Sequence, residues 1–76
     1  MKILITGSAG MIGSYVVKEL IAKGHTIVGL DRRESDWKHE NFIQVVLDLA
    51  DKKALNDVFE NESVDRCIHL AALAHF

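Results

Sequence analysis

Residues 3–20 read ILITGSAGMIGSYVVKEL. An apolar run leads through Thr6 into glycines at positions 7, 10 and 13, and apolar residues then continue in a helical rhythm. The run ILI is apolar at successive positions, which predicts a strand over residues 2–6 covered on both faces. Ile12, Val16, Val17, Leu20 and Ile21 recur three and four residues apart and predict a helix over 11–23 with one apolar stripe, Ser14, Lys18 and Glu19 falling toward the other side. Gly24 follows its last turn and suits the left-handed conformation that ends a helix.

Glycines between a strand and a helix have a physical reason when a dinucleotide pyrophosphate binds there. The first turn is too tight for most side chains, a Cβ at the middle position holds phosphates away from the backbone amides, and a Cβ at the last pushes the helix off the strand. These roles fall to Gly7, Gly10 and Gly13 in that order, with Thr6, Ser8 and Ala9 keeping the loop small. The free amides and the positive end of the helix dipole then face the phosphates. A ligand-free tight turn also asks for glycine, and Ala9 stands where the GxGxxG form has its second glycine. Context favours the ligand: Asp31 ends a second apolar run 18 residues after Gly13, where an acid binds the adenosine ribose hydroxyls. Arg32 and Arg33 would suit a 2′-phosphate, but a carboxylate at Asp31 repels one, so the reading is NAD in preference to NADP.

Strands are predicted over residues 26–30, 42–47 and 66–70, and a second helix after Asp51, whose carboxylate can cap a first-turn amide. Ala54, Leu55, Val58 and Phe59 mark the inner face of that helix. The polar segment 31–41, DRRESDWKHEN, reads as a loop with Trp37 as a partly exposed anchor; adenine stacking is the alternative for that ring. Strands alternating with helices imply parallel pairing through right-handed crossovers. The fold class is therefore α/β, a partial Rossmann sheet, doubly wound and parallel, in the order 3-2-1-4. Residues 1–76 form one unit with no internal boundary, the N-terminal half of a dinucleotide-binding domain.

The octapeptide TGSAGMIG, Thr6 to Gly13, fits the TGxxGxxG signature, and the whole chain resembles the extended short-chain dehydrogenases/reductases, specifically the NAD-dependent epimerase/dehydratase group. LDR at 30–32 looks like the end of that family's second strand. DLAD at 48–51 is similar to its adenine-pocket segment, with Asp48 near the adenine amino group. IHLAALA at 68–74 looks like its fourth-strand motif, whose small residues let the backbone run beside the cofactor. Together these give the candidate cofactor-binding set Gly7, Ala9, Gly10, Met11, Ile12, Gly13, Asp31, Arg32, Asp48, Leu49, Leu70, Ala71 and Ala72.

The resemblance implies the cofactor-binding N-terminal portion of a sugar-nucleotide epimerase- or dehydratase-type oxidoreductase; the alternative is a small non-catalytic dinucleotide-binding or assembly module. The family's chemistry uses a Tyr-x-x-x-Lys pair. Here the one tyrosine is Tyr15, and position 19 is glutamate. No catalytic residue is assigned, and the chain alone is expected to show no turnover.

The remaining candidates read as structural. Cys67 is expected to be a buried small hydrophobe in mid-strand. His69 is expected to be structural despite its place near a strand's carboxyl end. His25 and His39 lack metal-ligand spacing, and His75 is expected to be disordered near the terminus. A formal net charge of −2 offers no attraction for nucleic acid or an anionic membrane, and no apolar run approaches the roughly 18 residues of a membrane span. A single cysteine and no metal spacing point to a reducing cytoplasm. In the order 3-2-1-4 the fourth strand is an edge with apolar residues on both faces, which predicts a homo-oligomer formed through it.

Overall fold

The computed structural model describes residues 1–71. Ala72, Leu73, Ala74 and His75, which carry the end of the fourth-strand motif and the terminal histidine, lie outside the described residues. The elements run β1 (Lys2–Thr6), α1 (Met11–Ala22), β2 (Thr26–Asp31), β3 (Phe42–Val46), α2 (Lys52–Asn61) and β4 (Arg66–His69). All four strands are parallel and lie in the order β3-β2-β1-β4, as the alternation of strand and helix predicts. The register sets Thr6 beside Leu30 and His69, and Asp31 beside Val46, so the strands' carboxyl ends share one edge.

Strand periodicity divides the core between two faces. Ile3, Ile5, Ile27 and Phe42 meet Val17 and Ile21 of α1 on one side. Leu4, Val28 and Leu30 meet Val58 of α2 on the other, with Leu55 and Val64 packed against them. Because β1 and β2 are buried from both sides, their sequences are apolar throughout rather than alternating. α1 ends at a Lys23 cap followed by Gly24 at φ +93°, the left-handed residue expected there. α2 starts on Asp51, whose carboxylate accepts from the Ala54 amide.

Three burial expectations need correction. Cys67 is exposed rather than buried. Its partner across the register is Leu4, on the face α2 covers, but among the described residues no β4 side chain joins that cluster. The helix shelters β1 to β3 and leaves the edge strand open. Phe59 is 43% exposed; the inner stripe of this short helix runs through Leu55 and Val58, and the next residue turns toward solvent. Ile12 is 56% exposed and lines the cleft at the strands' carboxyl ends instead of joining the core.

Trp37 is half-buried, as an anchor should be, and packs on the α1-side core. It stacks on His39 at 5.5 Å between centroids, and the Lys18 ammonium sits 5.5 Å from its ring. Those contacts occupy the ring and leave it outside the cleft described below, against the adenine-stacking alternative.

Candidate functional site: a cleft at the carboxyl ends of the strands

The chain's own contacts hold the glycine loop. Gly7 takes φ +79°, a conformation that L side chains rarely adopt. Its amide donates to the Leu30 carbonyl at 2.7 Å, which ties the turn to the end of β2. A Cβ there would stand 2.9 Å from the Ala71 amide nitrogen, so the first glycine also lets the residues after β4 close in. A Cβ on Gly13 would strike the Gly7 carbonyl, with the Gly7 carbonyl carbon at 2.8 Å; this glycine is what brings α1 down onto the turn.

Gly10 differs from both. Its backbone, φ −74° and ψ 171°, is open to any residue. A Cβ on it would meet Gly7 O at 3.4 Å and Arg33 Nη2 at 3.7 Å, close to ordinary contact distances. The protein's own packing gives no reason for glycine at this position. As the N-cap of α1 it supplies no side-chain cap, and the first turn contains no acid. The opening amides of the helix therefore face outward with the positive end of its dipole.

Asp31 stands beside this loop. Its Oδ2 accepts from the Ala9 amide at 3.1 Å, and its Oδ1 from the Arg33 amide at 3.0 Å and Arg33 Nε at 3.5 Å. The carboxylate thus braces the glycine loop against the turn after β2, in addition to any ligand role. The 32–41 loop is braced in turn by Gln44 of β3, whose side chain accepts from the Ser35 amide at 2.8 Å and donates to the Ser35 and Trp37 carbonyls. Glu34, in that loop and outside the cleft, has its carboxyl held below the usual carboxylate range by a hydrogen bond from Lys38, then by that ammonium's charge.

The opposite wall comes from β1 and β4. Thr6 Oγ1 and His69 Nδ1 share a hydrogen bond of 2.6 Å, and the Ala71 amide donates to the same Thr6 oxygen at 3.4 Å. This lashes the strand ends together where the chain changes direction in the sheet, the place where open α/β sheets bind ligands. His69 thus ties the end of β4 to the end of β1.

Between these walls lies a cleft of about 790 Å³. Of the sequence-predicted residues, Gly7, Gly10, Met11, Ile12, Gly13, Asp31, Arg32, Asp48, Leu49, Leu70 and Ala71 line it. Ala9 stands just behind, bound to Asp31, and Ala72 lies outside the described residues. Met11, 90% exposed, stands at the mouth. Asp48 has one oxygen engaged by the Ala50 amide at 2.9 Å, an Asx turn leading into α2.

Sequence reasoning did not place Arg33 and Ala50 in this lining. The sequence reads Arg33 either as a phosphate-binding cation or as part of a solvated loop; its spacing from Asp31 carries the missed signal, since a residue two positions on can return its amide to the carboxylate. Gly29 was also missed. A Cβ there would stand 2.6 Å from both Ser8 Oγ and Phe42 Cε1. Its bare backbone lets the buried Ser8 of the glycine loop rest on β2.

Residues 3–76 match the model of the NAD dependent epimerase/dehydratase family. The chain belongs to that family. Among its relatives, Protein CapI of Staphylococcus aureus is 39% identical over 87 aligned positions, covering 97% of this chain and 26% of its own length. A UDP-glucose 4-epimerase of Caenorhabditis elegans is 35% identical, covering 96% of this chain and 26% of its own length. Two solved structures superpose with TM-scores of 0.82. They are the Bordetella bronchiseptica enzyme WbmH in complex with NAD+, 33% identical over 92% of this chain and 25% of that one, and the UDP-glucose 4-epimerase of Thermotoga maritima with UDP-glucose, 31% identical over 93% and 24%. The chain spans about a quarter of the length of the curated relatives it matches.

Among the described residues no cluster of His, Cys, Asp or Glu could hold a metal ion, and no helix is long and apolar enough to cross a membrane.

Proposed function

We propose that this chain is the cofactor-binding N-terminal portion of a sugar-nucleotide epimerase or dehydratase, and that its cleft takes NAD. One observation carries the reading. Gly10 has a conformation any residue can adopt and room for a side chain, yet it is glycine and it faces the cleft. A pyrophosphate drawn close to the first-turn amides of α1 supplies the missing reason. The relative WbmH was solved with NAD+, which supports the same cofactor here.

On this reading Gly7 and Gly13 shape the loop, and the amides of Met11 and Ile12 meet the phosphates. Asp31 accepts from the adenosine ribose, Asp48 and Leu49 border the adenine, and Leu70, Ala71 and Ala72 line the path toward the nicotinamide. Arg32 flanks the ribose side. NAD supplies hydride transfer when bound; these residues bind and orient it. None of them takes up or releases a proton from substrate, so the 76-residue chain alone is expected to show no turnover. The sugar nucleotide belongs to the longer proteins that the chain resembles, as in the Thermotoga maritima epimerase solved with UDP-glucose. A reducing cytoplasmic setting suits the exposed thiol of Cys67.

Calorimetric titration of the chain with NAD tests the reading. One-to-one binding that competes with ADP-ribose is expected. No heat and no protection from thermal unfolding at millimolar NAD would overturn it.

A further inference from the structure

We infer that Gln44, in mid-β3 and outside the cleft, is a positioning residue for dinucleotide binding, because its carboxamide pins the loop that carries one wall of the cleft. The inference rests on the dinucleotide reading above and deepens it. By strand alternation Gln44 shares the face of Phe42, on the α1 side of the sheet. Its Oε1 accepts from the Ser35 amide at 2.8 Å, and its Nε2 donates to the Ser35 carbonyl at 3.1 Å and the Trp37 carbonyl at 3.4 Å. The two bonds to Ser35 are reciprocal, so the side chain pairs with that residue much as one strand residue pairs with another. A carboxamide suits the task because it sets a donor beside an acceptor; an ionised carboxylate only accepts.

Ser35 is the node of this loop. Its hydroxyl oxygen accepts from the Trp37 amide at 3.2 Å, and its carbonyl takes a second donor, Lys38 Nζ, at 3.4 Å. On the other side, the Asp31 carboxylate accepts from the Arg33 amide at 3.0 Å. The chain from Arg32 to Glu34 is therefore a short exposed span pinned at both ends. Ser35 lies two residues beyond Arg33, so a fixed Ser35 keeps Arg33 within about 7 Å of it.

Arg32 and Arg33 line the cleft, whereas Gln44 and Ser35 do not. Gln44 thus acts on a ligand only through the placement of the loop. A closed clamp leaves binding no ordering to do in this span. An open one makes the ligand order the span as it binds, and affinity falls by that cost. Trp37 packs on the α1-side core through its own ring, so opening the clamp frees the span without removing the loop's other anchor.

The test is calorimetric titration of the 76-residue chain with NAD, for the wild type, Gln44→Met, Gln44→Asn and Val64→Ala. Methionine keeps the length of the side chain and loses its hydrogen bonds; asparagine keeps the carboxamide and loses the reach. Val64 packs against the α2-side core and does not line the cleft, so its truncation lowers stability without touching the loop. Circular dichroism melts report folding, and hydrogen exchange at the Ser35 amide reports whether the clamp is open. Both Gln44 variants are expected to stay folded, to exchange the Ser35 amide faster and to bind NAD roughly tenfold more weakly, within the range of couplings between separate sites. Val64→Ala should melt earlier and keep the wild-type affinity. Wild-type affinity in either folded Gln44 variant overturns the inference alone, and so does an equal loss of affinity in Val64→Ala. Two unfolded Gln44 variants would make the clamp a requirement of the fold rather than of the site, and would overturn it as well. Failure of the folded wild type to bind NAD overturns the inference together with the cofactor reading.

Discussion

Replacing Gly10 by valine separates binding from folding, because the three loop glycines are glycine for different reasons. At Gly10 the backbone angles are open to valine, and the new Cβ would stand 3.4 Å from Gly7 O. Removing a glycine's freedom in the unfolded chain stabilises by about 0.4–1 kcal/mol, and losing a tolerated N-cap residue costs about 0.5–1 kcal/mol. The two nearly cancel, so stability should stay within about 1 kcal/mol, or roughly 4–8 °C in Tm for a domain this small. Binding is another matter. The valine methyl groups extend from that Cβ into the space where the phosphates approach the amides. Losing two charge-assisted hydrogen bonds at about 1.5–3 kcal/mol each raises Kd by roughly two to four orders of magnitude.

Gly13→Ala supplies the contrast. Its Cβ collides with the Gly7 carbonyl and comes within 3.0 Å of Ser8 Cα. Both are backbone atoms, so neither can rotate away, and overpacking of this kind costs about 1–3 kcal/mol or more. The whole domain has only roughly 0.05–0.15 kcal/mol per residue to lose. Thermal melts followed by calorimetric NAD titration on both variants give the readout. Wild-type NAD affinity in Gly10→Val would refute the phosphate-loop assignment. A Gly10→Val chain destabilised as much as Gly13→Ala would show that packing, not a ligand, demands glycine there.

Asp31→Ala should weaken NAD by about 1.5–3 kcal/mol, and it should also speed hydrogen exchange at the Ala9 amide, whose acceptor is removed; unchanged exchange would mean that the brace is not what holds the loop. Gly29→Ala should lower stability by about 1–3 kcal/mol, because its Cβ meets Phe42 and Ser8 at 2.6 Å; a melt at the wild-type temperature would show that Ser8 moves aside freely. β4 ends the sheet and three of its four residues are exposed, so sedimentation at micromolar concentration is expected to report self-association through that edge. A strict monomer would count against it.

Much of the fold was legible because it rests on local patterns. The apolar runs marked β1 and β2 as buried strands, Asp51 announced α2, and the alternation of strand and helix implied the parallel order with β4 beside β1. The element limits moved by one residue: β2 reaches Asp31 because Val46 pairs with it, and β3 and β4 stop at Val46 and His69. What sequence hid was contact between segments distant in the chain. The seat of Ser8 on Gly29 joins a loop to a strand more than twenty residues on, and neither residue type signals the other. The Gln44 clamp on the loop after β2 is equally silent, since a strand glutamine reads as a solvated residue. Cys67 looked buried because its strand is apolar, but burial depends on what lies above a strand, and α2 does not reach the edge. The candidate site was legible through spacing, glycines three apart and an acid after the next strand. That Asp31 also braces the loop could be seen only once Ala9 and Arg33 were placed around it.

The cleft at the strands' carboxyl ends is proposed as a dinucleotide site. Titrating NAD into isotope-labelled chain and following backbone amide resonances tests it most directly. The predicted result is saturable shifts concentrated at residues 7–13, 31–33, 48–50 and 70–71, largest at the Met11 and Ile12 amides. Shifts confined to other surfaces, or none at millimolar NAD in a folded chain, would contradict it.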